Sequence, residues 1–227
     1  MSAFRTPSAQ DYTKRPHGCL NEQRRFATRV QRFCKNVLDY FLAALLFPIL
    51  SPVLLICAIA IRLDSKGPII YCQRRVGEHG RLFTIYKLRT MVVGAERKGL
   101  EIRHGDPRIT RVGHILRLTS LDELPQLLNI LKGEMSLIGP RPLLPGTLRP
   151  DETLRQSVKP GMASYQDLFG RQTLDWETRI KLDLWYVRNW SLWLDVKITV
   201  SIIPIVLSCR NVYDDSGGSR PRFKAED

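Results

Sequence analysis

From Tyr40 to Ile61 the chain reads YFLAALLFPILSPVLLICAIAI, without a charge, and no other stretch limits the fold so tightly. These 22 residues, drawn out as a straight helix, extend ~33 Å, enough to cross a bilayer core. Pro48 and Pro52 sit in the middle, each removing a backbone donor and crowding the preceding turn. Ser51 offers a hydroxyl able to satisfy a carbonyl freed in this way. A kink or break at Ser51-Pro52 is therefore expected. Both flanks are basic: Arg25, Arg29, Arg32 and Lys35 precede the run, and Arg62, Lys66, Arg74 and Arg75 follow it. Basic flanks are retained in the cytoplasm, so a straight crossing satisfies one of them and a re-entrant hairpin satisfies both. An ordinary bent crossing is the alternative.

The remaining composition narrows the partners. Thirty-five lysines and arginines against 22 acids give a formal charge of +13, which favours nucleic acid, anionic lipid or phosphorylated substrates. Cys19, Cys34, Cys57, Cys72 and Cys209 are scattered without a CxxC pair, arguing against a disulfide framework or zinc site and for a reducing compartment. The four histidines are equally dispersed. Residues 1–24 contain no h-region or A-x-A cleavage pattern and read as a mobile basic tail. Trp176, Trp185, Tyr186, Trp190 and Trp193 crowd together beside Arg188, which suits a headgroup layer or a packed core. Helical spacing over residues 175–190 places Trp176, Ile180, Leu184 and Val187 on one stripe, with Leu182 and Trp185 on the far side. Val196 to Cys209, interrupted by Lys197 and Pro204, reads as an interfacial helix.

Between these apolar segments lies an α-rich α+β core. The runs IIYC and LFTIY flank the turn-forming VGEHGR and predict a hairpin. Helical patterns follow at 113–118, 120–131 and 175–190, separated by loops rich in glycine and proline. From Arg62 to Arg117 the net charge is +8, which suits phosphate binding or anionic headgroups. No helix-turn-helix, zinc finger or RNP-like pattern accompanies it, so nucleic acid is not an expected partner.

The chemistry concentrates in RLTSLDELPQLLNILKGEMSLIGPRP, residues 117–142. Ser120 and Glu123 have capping-box spacing, which predicts Ser120 as an N-cap with Asp122 and Glu123 in the first helical turn. A helix N-terminus there favours a carboxylate and also a phosphate. Adjacent carboxylates can recruit Mg²⁺, which commonly takes one or two protein carboxylates and completes its shell with water and substrate phosphates. Gly139-Pro140-Arg141-Pro142 fixes an arginine between two prolines, presenting an ordered guanidinium to an anion or simply forming a turn.

These residues carry a family resemblance. The apolar run with Ser51-Pro52, DSKGPIIYCQRRVG, FTIYKLRTM, DPRITRVGHILRLTSLDELPQLLNILKGEMSLIGPRPLLP and LDLWYVRNWSLWLDVKI stand in order, spanning Lys35 to about Arg210. The chain thus resembles the monotopic phosphoglycosyl transferases, also called bacterial sugar transferases or undecaprenyl-phosphate sugar phosphotransferases. That resemblance implies a re-entrant membrane helix over 35–65 broken at Ser51-Pro52, and a small cytosolic catalytic part with interfacial helices over 66–210. These lie in one domain spanning 25–210, with a tail at 211–227. It implies Asp122 and Glu123 as the catalytic dyad and Mg²⁺ ligands, with a phospho-sugar intermediate on Asp122. Arg117 and Arg141, and less directly Lys87 and Arg89, are implied as phosphate contacts. Glu123 would bind metal or assist proton transfer.

The implied reaction moves a sugar 1-phosphate from a nucleotide sugar, UDP by resemblance, to polyprenyl phosphate at the bacterial cytoplasmic membrane. It would initiate a surface glycan, with downstream glycosyltransferases as further partners. One stretch departs from the family pattern PG-[IL]-TG-W-x-Q-V-x-GR: this chain reads PGMASYQDLFGR, residues 160–171, with Ala163, Ser164 and Asp167 in place of Thr, Gly and Gln. The change puts sugar or nucleotide recognition in question. A membrane-anchored scaffold or binding subunit of a glycan assembly complex is the alternative function.

Overall fold

The computed structural model describes residues 22–95, 105–147, 150–170 and 174–207. Residues 1–21 of the tail expected at 1–24, the tail expected at 211–227, Cys19 and Cys209 lie outside the described residues. The long apolar run is part of one helix, α1 (Glu22–Asp64), whose start falls inside the segment expected to be a tail. Of the expected kink or break at Ser51-Pro52, the break is not found: the helix runs on with Pro48 and Pro52 inside it. The reason is local. Pro52 has no N–H for the carbonyl of Pro48, and Ser51 Oγ donates to that same oxygen at 2.8 Å.

A hairpin follows, longer than its apolar core suggested: β1 (Ile70–Val76) and β2 (Leu82–Leu88) pair antiparallel from Ile70 opposite Leu88 to Val76 opposite Leu82. The turn between them places His79 at φ 55°, and Gly80 also takes positive φ. Beyond it come α2 (Arg111–Thr119), a 3₁₀ turn (Leu121–Gln126) and the short α3 (Leu127–Leu131). Strands β3 (Ser136–Ile138) and β4 (Gly161–Ala163) pair in parallel, joined through a 3₁₀ segment (Pro150–Ser157). A further 3₁₀ turn (Tyr165–Leu168) leads to α4 (Trp176–Asn189) and α5 (Leu192–Leu207). The mixed, helix-rich class agrees with the α+β expectation.

One stripe of α1 meets this domain along most of its length. Ala43, Leu46, Phe47 and Leu50 pack with Phe83, Ile85, Leu127, Ile130 and Met135. Further along, Val53, Leu54, Cys57 and Ile61 pack with Leu88, Leu116 and Leu121. The opposite face, including Phe41, Leu45, Ile49, Leu55, Ile56 and Ile59, is exposed apolar surface. A third cluster joins Ile138 and Tyr165 to Leu182 and Tyr186 of α4 and to Leu194, Ile198 and Ile202 of α5. Leu182 is therefore inward-facing, and the stripe expected on α4 is corrected: Ile180, Leu182, Asp183 and Tyr186 form its buried side. Trp185 stacks on Tyr165 with ring centroids 4.6 Å apart, so the core claims part of the tryptophan cluster. Trp193, Val196, Val200 and Ile203 remain exposed on α5.

Candidate active site

Asp122 and Glu123 sit in the 3₁₀ turn that joins α2 to α3, and this turn does not begin as the capping-box spacing predicted. Ser120 adopts the left-handed conformation at φ 60° and makes no side-chain cap bond. It instead closes α2, its N–H donating to Arg117 O. Ser120 O then accepts from Glu123 N at 3.2 Å. Pro125 follows too closely for a regular helix to start at Ser120, because its ring carries no N–H and crowds the preceding turn. The reversal at Ser120 thus presents both carboxylates on a tight corner between two helices. Behind it Asn129, fully buried, donates to Thr84 O at 2.7 Å and accepts from Tyr86 N at 3.2 Å, which binds the corner to β2.

Three separate segments bring cations to that corner. Lys87, on β2, donates to Glu123 Oε1 at 2.8 Å, and Arg141 Nη2 donates to the same oxygen at 3.1 Å. Arg117, on α2, is held by its Nε bond to Thr90 Oγ1 at 2.8 Å. Helix α2 is pressed against that strand exit: a Cβ on Gly113 would stand 2.0 Å from Thr90 O. Among the described residues no hydrogen bond occupies the Asp122 carboxylate. The Asp122 pKa is raised: burial pushes it up first, Lys87 pulls it down, Glu123 pushes it up, and Arg117 and Arg141 pull it down. The four expected residues Asp122, Glu123, Lys87 and Arg141 share one site, with Arg117 beside them.

Arg89 is elsewhere. Its side chain is buried, and Nη1 and Nη2 donate to Lys66 O and Ser65 O at 2.6 and 2.8 Å, tying down the end of α1. The end of β2 explains this: alternation puts Lys87 and Arg89 on one side, yet Arg89 stands past the strand end, under the chain leaving α1.

The Pro-Arg-Pro loop is fixed by its backbone. Gly139 N donates to Ala163 O at 3.0 Å and Gly161 N donates to Pro140 O at 2.9 Å. A Cβ on Gly161 would fall 2.1 Å from Gly139 N, so the two strands approach only as glycine. Arg155 Nη2 donates to Arg141 O at 3.0 Å and pairs with buried Asp183, while Arg75 Nη1 donates to Pro142 O at 3.1 Å. Burial, and then the charge of Arg141, lower Arg75 to about 10. Glu123 first, then Asp167 and Asp122, raise Arg141 and keep it cationic. Asp167 Oδ1 lies 3.6 Å from Arg141 Nη1.

Sequence reading missed Arg75, Arg155, Asp167 and Asp183 as neighbours of the site. Two signals existed: an acidic residue on the apolar side of α4, and a Ser164-x-x-Asp167 spacing that is itself a capping box. The substituted Ser164 and Asp167 are thus partners of each other. Asp167 Oδ2 accepts from Ser164 N at 2.7 Å and from Ser164 Oγ at 2.8 Å.

Among the described residues no group of three or more His, Cys, Asp or Glu side chains is placed to hold a metal. Asp122 and Glu123 still fit Mg²⁺, whose protein ligands commonly number one or two. A divalent ion held with water and phosphates would offset the concentration of negative charge that a diphosphate brings to two carboxylates.

Comparison with known proteins shows the family. The model of a family described as bacterial sugar transferase matches residues 30–209. The chain is 40% identical over 219 residues to the UDP-glucose:undecaprenyl-phosphate glucose-1-phosphate transferase of Caulobacter vibrioides, covering 91% of this chain and 80% of the relative. It is 38% identical to the undecaprenyl-phosphate galactose phosphotransferase of Salmonella typhimurium, covering 86% of this chain and 44% of the relative. An N-acetylgalactosaminephosphotransferase of Aeromonas hydrophila, acting between UDP-N-acetylgalactosamine and undecaprenyl phosphate by its name, is 39% identical over 79% of this chain and 45% of its own. The chain spans less than half the length of the latter two relatives.

Proposed function

Because the chain belongs to the bacterial sugar transferase family, we propose that it transfers a sugar 1-phosphate from a UDP-sugar to undecaprenyl phosphate, starting a lipid-linked glycan. The observation that carries this reading is the Asp122-Glu123 corner faced by Lys87, Arg117 and Arg141 from three segments of chain. An uncommitted carboxylate beside three cations is suited to attack an anionic phosphorus.

In the proposed first step an Asp122 oxygen bonds to the sugar-bearing phosphorus and the bond to UMP breaks, leaving a phospho-sugar on Asp122. In the second, an oxygen of undecaprenyl phosphate bonds to that phosphorus, Asp122 leaves, and the lipid diphosphate sugar is formed. The three cations lower the repulsion between carboxylate and diphosphate and stabilise the charge that develops in transfer. They also oppose the burial that raises the Asp122 pKa. Glu123 orients Lys87 and Arg141 and completes the carboxylate pair for Mg²⁺, which when bound neutralises phosphate charge.

The exposed face of α1 belongs in lipid in this reading, and the helix, bent at its central prolines, enters and leaves the membrane on the cytoplasmic side. What supports the re-entrant geometry is that one domain touches both halves of α1. A helix crossing the bilayer would carry one half away from a domain on the other side.

Incubation of the detergent-solubilised chain with Mg²⁺, undecaprenyl phosphate and a panel of UDP-sugars tests the reaction. Lipid-dependent UMP release with at least one sugar supports it; no release with any sugar favours the scaffold. Without lipid, the protein should gain the mass of one phospho-sugar on the peptide containing Asp122. Single-cysteine labelling near Lys35 and Lys66 in intact cells tests the topology, and access to one flank from outside would rule out the re-entrant form.

A further inference from the structure

Arg141 is gripped from two sides, and only one of these grips belongs to the catalytic pair. Nη2 meets Glu123 at 3.1 Å and Nη1 faces Asp167 Oδ1 at 3.6 Å. Asp167 is 3% exposed, and its Oδ2 is pinned by both the N–H and the hydroxyl of Ser164. With that oxygen fixed, the carboxylate cannot turn, and Oδ1 is left buried and without a hydrogen-bond partner. A buried carboxylate oxygen without a hydrogen bond carries a desolvation cost that the nearby guanidinium charge offsets. The same segment is locked to the arginine's own loop, since Gly139 N donates to Ala163 O immediately before Ser164.

We infer that Asp167, fixed by Ser164, is a positioning residue that aims the Arg141 guanidinium across the carboxylate pair toward the transferring phosphate. This rests on the reading of Arg141 as the phosphate-binding arginine. Two anchors on one planar fork set its plane, whereas Glu123 alone would leave the guanidinium free to pivot about a single bond. Asp167 touches no reacting atom. Its negative charge also opposes a diphosphate in the ground state, so its benefit is confined to orientation. Misplacement of a charge-stabilising group costs turnover even where binding survives.

The test separates turnover from binding. In Asp167→Asn the amide oxygen can still accept from Ser164, while the amide nitrogen then faces the guanidinium donor to donor. With a UDP-sugar found active, kcat should fall about tenfold. The affinity for UDP, measured by calorimetry in detergent, should hold or tighten because an anion has left the cleft. A merely structural loss would lower UDP affinity together with kcat. In the Arg141→Lys background, where there is no fork to aim, Asp167→Asn should cost less than about twofold more, since residues acting through one group are not additive.

Full kcat in Asp167→Asn, or an undiminished tenfold penalty on top of Arg141→Lys, overturns the inference. Full activity in Arg141→Lys overturns the phosphate-binding reading itself and this inference with it. If Asp167→Asn does not fold, Ser164→Ala removes only the hydroxyl bond and carries the same comparison. Its smaller loss of kcat should vanish in the Arg141→Lys background, and a loss that persists there overturns the inference.

Discussion

Asp195 and Asp122 both face cationic charge, and they are used in opposite ways. Asp195 accepts from Lys35 Nζ and Tyr186 OH, each at 2.7 Å, and from Trp190 Nε1 at 3.0 Å. Nearby Asp39, on α1, accepts from Ser136 Oγ at 2.6 Å and stands 3.6 Å from Lys35. This buried network ties the start of the apolar helix to β3, α4 and α5. Burial, and then Asp195, raise the Tyr186 phenol, so it remains a donor throughout the working range of pH. Asp122, by contrast, has cations around it and no hydrogen bond from a described residue. A carboxylate with both oxygens engaged holds structure; one surrounded by charge but not engaged is available to a substrate.

The largest break in this contrast should come from Asp122→Asn. Turnover should fall by roughly 10³-fold or more, since the amide is not a nucleophile, while the fold is retained. Lipid-dependent UMP release and a thermal midpoint measured together check it; undiminished turnover would remove Asp122 from the mechanism.

Asp195→Ala should do the reverse. It strands Lys35, Tyr186 and Trp190 in a mostly buried place, costing about 3 kcal/mol of stability. The midpoint in detergent should drop by roughly 10 °C. Turnover per folded molecule should be little changed. A variant as stable as the parent would show that the network is not what holds α1.

Arg141→Lys comes next. A point-like ammonium cannot bridge two carboxylates and a phosphate as the planar fork does, so kcat should fall about 10- to 100-fold at retained charge. Full activity would reduce Arg141 to a turn residue.

The smallest effect concerns Asp183, which separates structural from catalytic acids within the site's surroundings. Burial raises it to about 6 against the opposing charge of Arg155. The folded state then binds a proton that the unfolded chain has already released. The stabilisation is fully present below the ordinary aspartate range and is lost as pH rises toward 6. Relative to Asp183→Asn, the parent should lose stability between pH 4 and 6 and run parallel above, as read by thermal midpoints. A constant difference across that window would mean that Asp183 titrates normally.

Much of this was legible from one dimension because its causes are local. The apolar run, its prolines and the rescue by Ser51 follow from backbone donors a few residues apart, and the carbonyl rescued is the one Pro52 deprives. Two apolar runs flanking a turn-forming stretch marked the hairpin, although its strands extend into the polar QRR stretch, where pairing rather than apolarity decides the end. The dyad, Arg117, Lys87 and Arg141 were named from contiguous motifs, and they meet in space.

What tertiary structure alone decided is where long-range partners compete with local ones. Ser120 has the spacing of an N-cap, yet Pro125 and the closure of α2 turn it left-handed, and no local pattern weighs those two against each other. Leu182 falls on the far side of an apparent stripe and is buried because α5 and Tyr165 cover that side. Arg89 and Lys87 are two residues apart and chemically alike; the end of α1 takes one, and Glu123 takes the other. Asp167 and Asp183 find their arginines across 26 and 28 positions of chain. Sequence determines which charges exist and which backbone donors are missing. Only the fold, by excluding water, determines which charge must answer which.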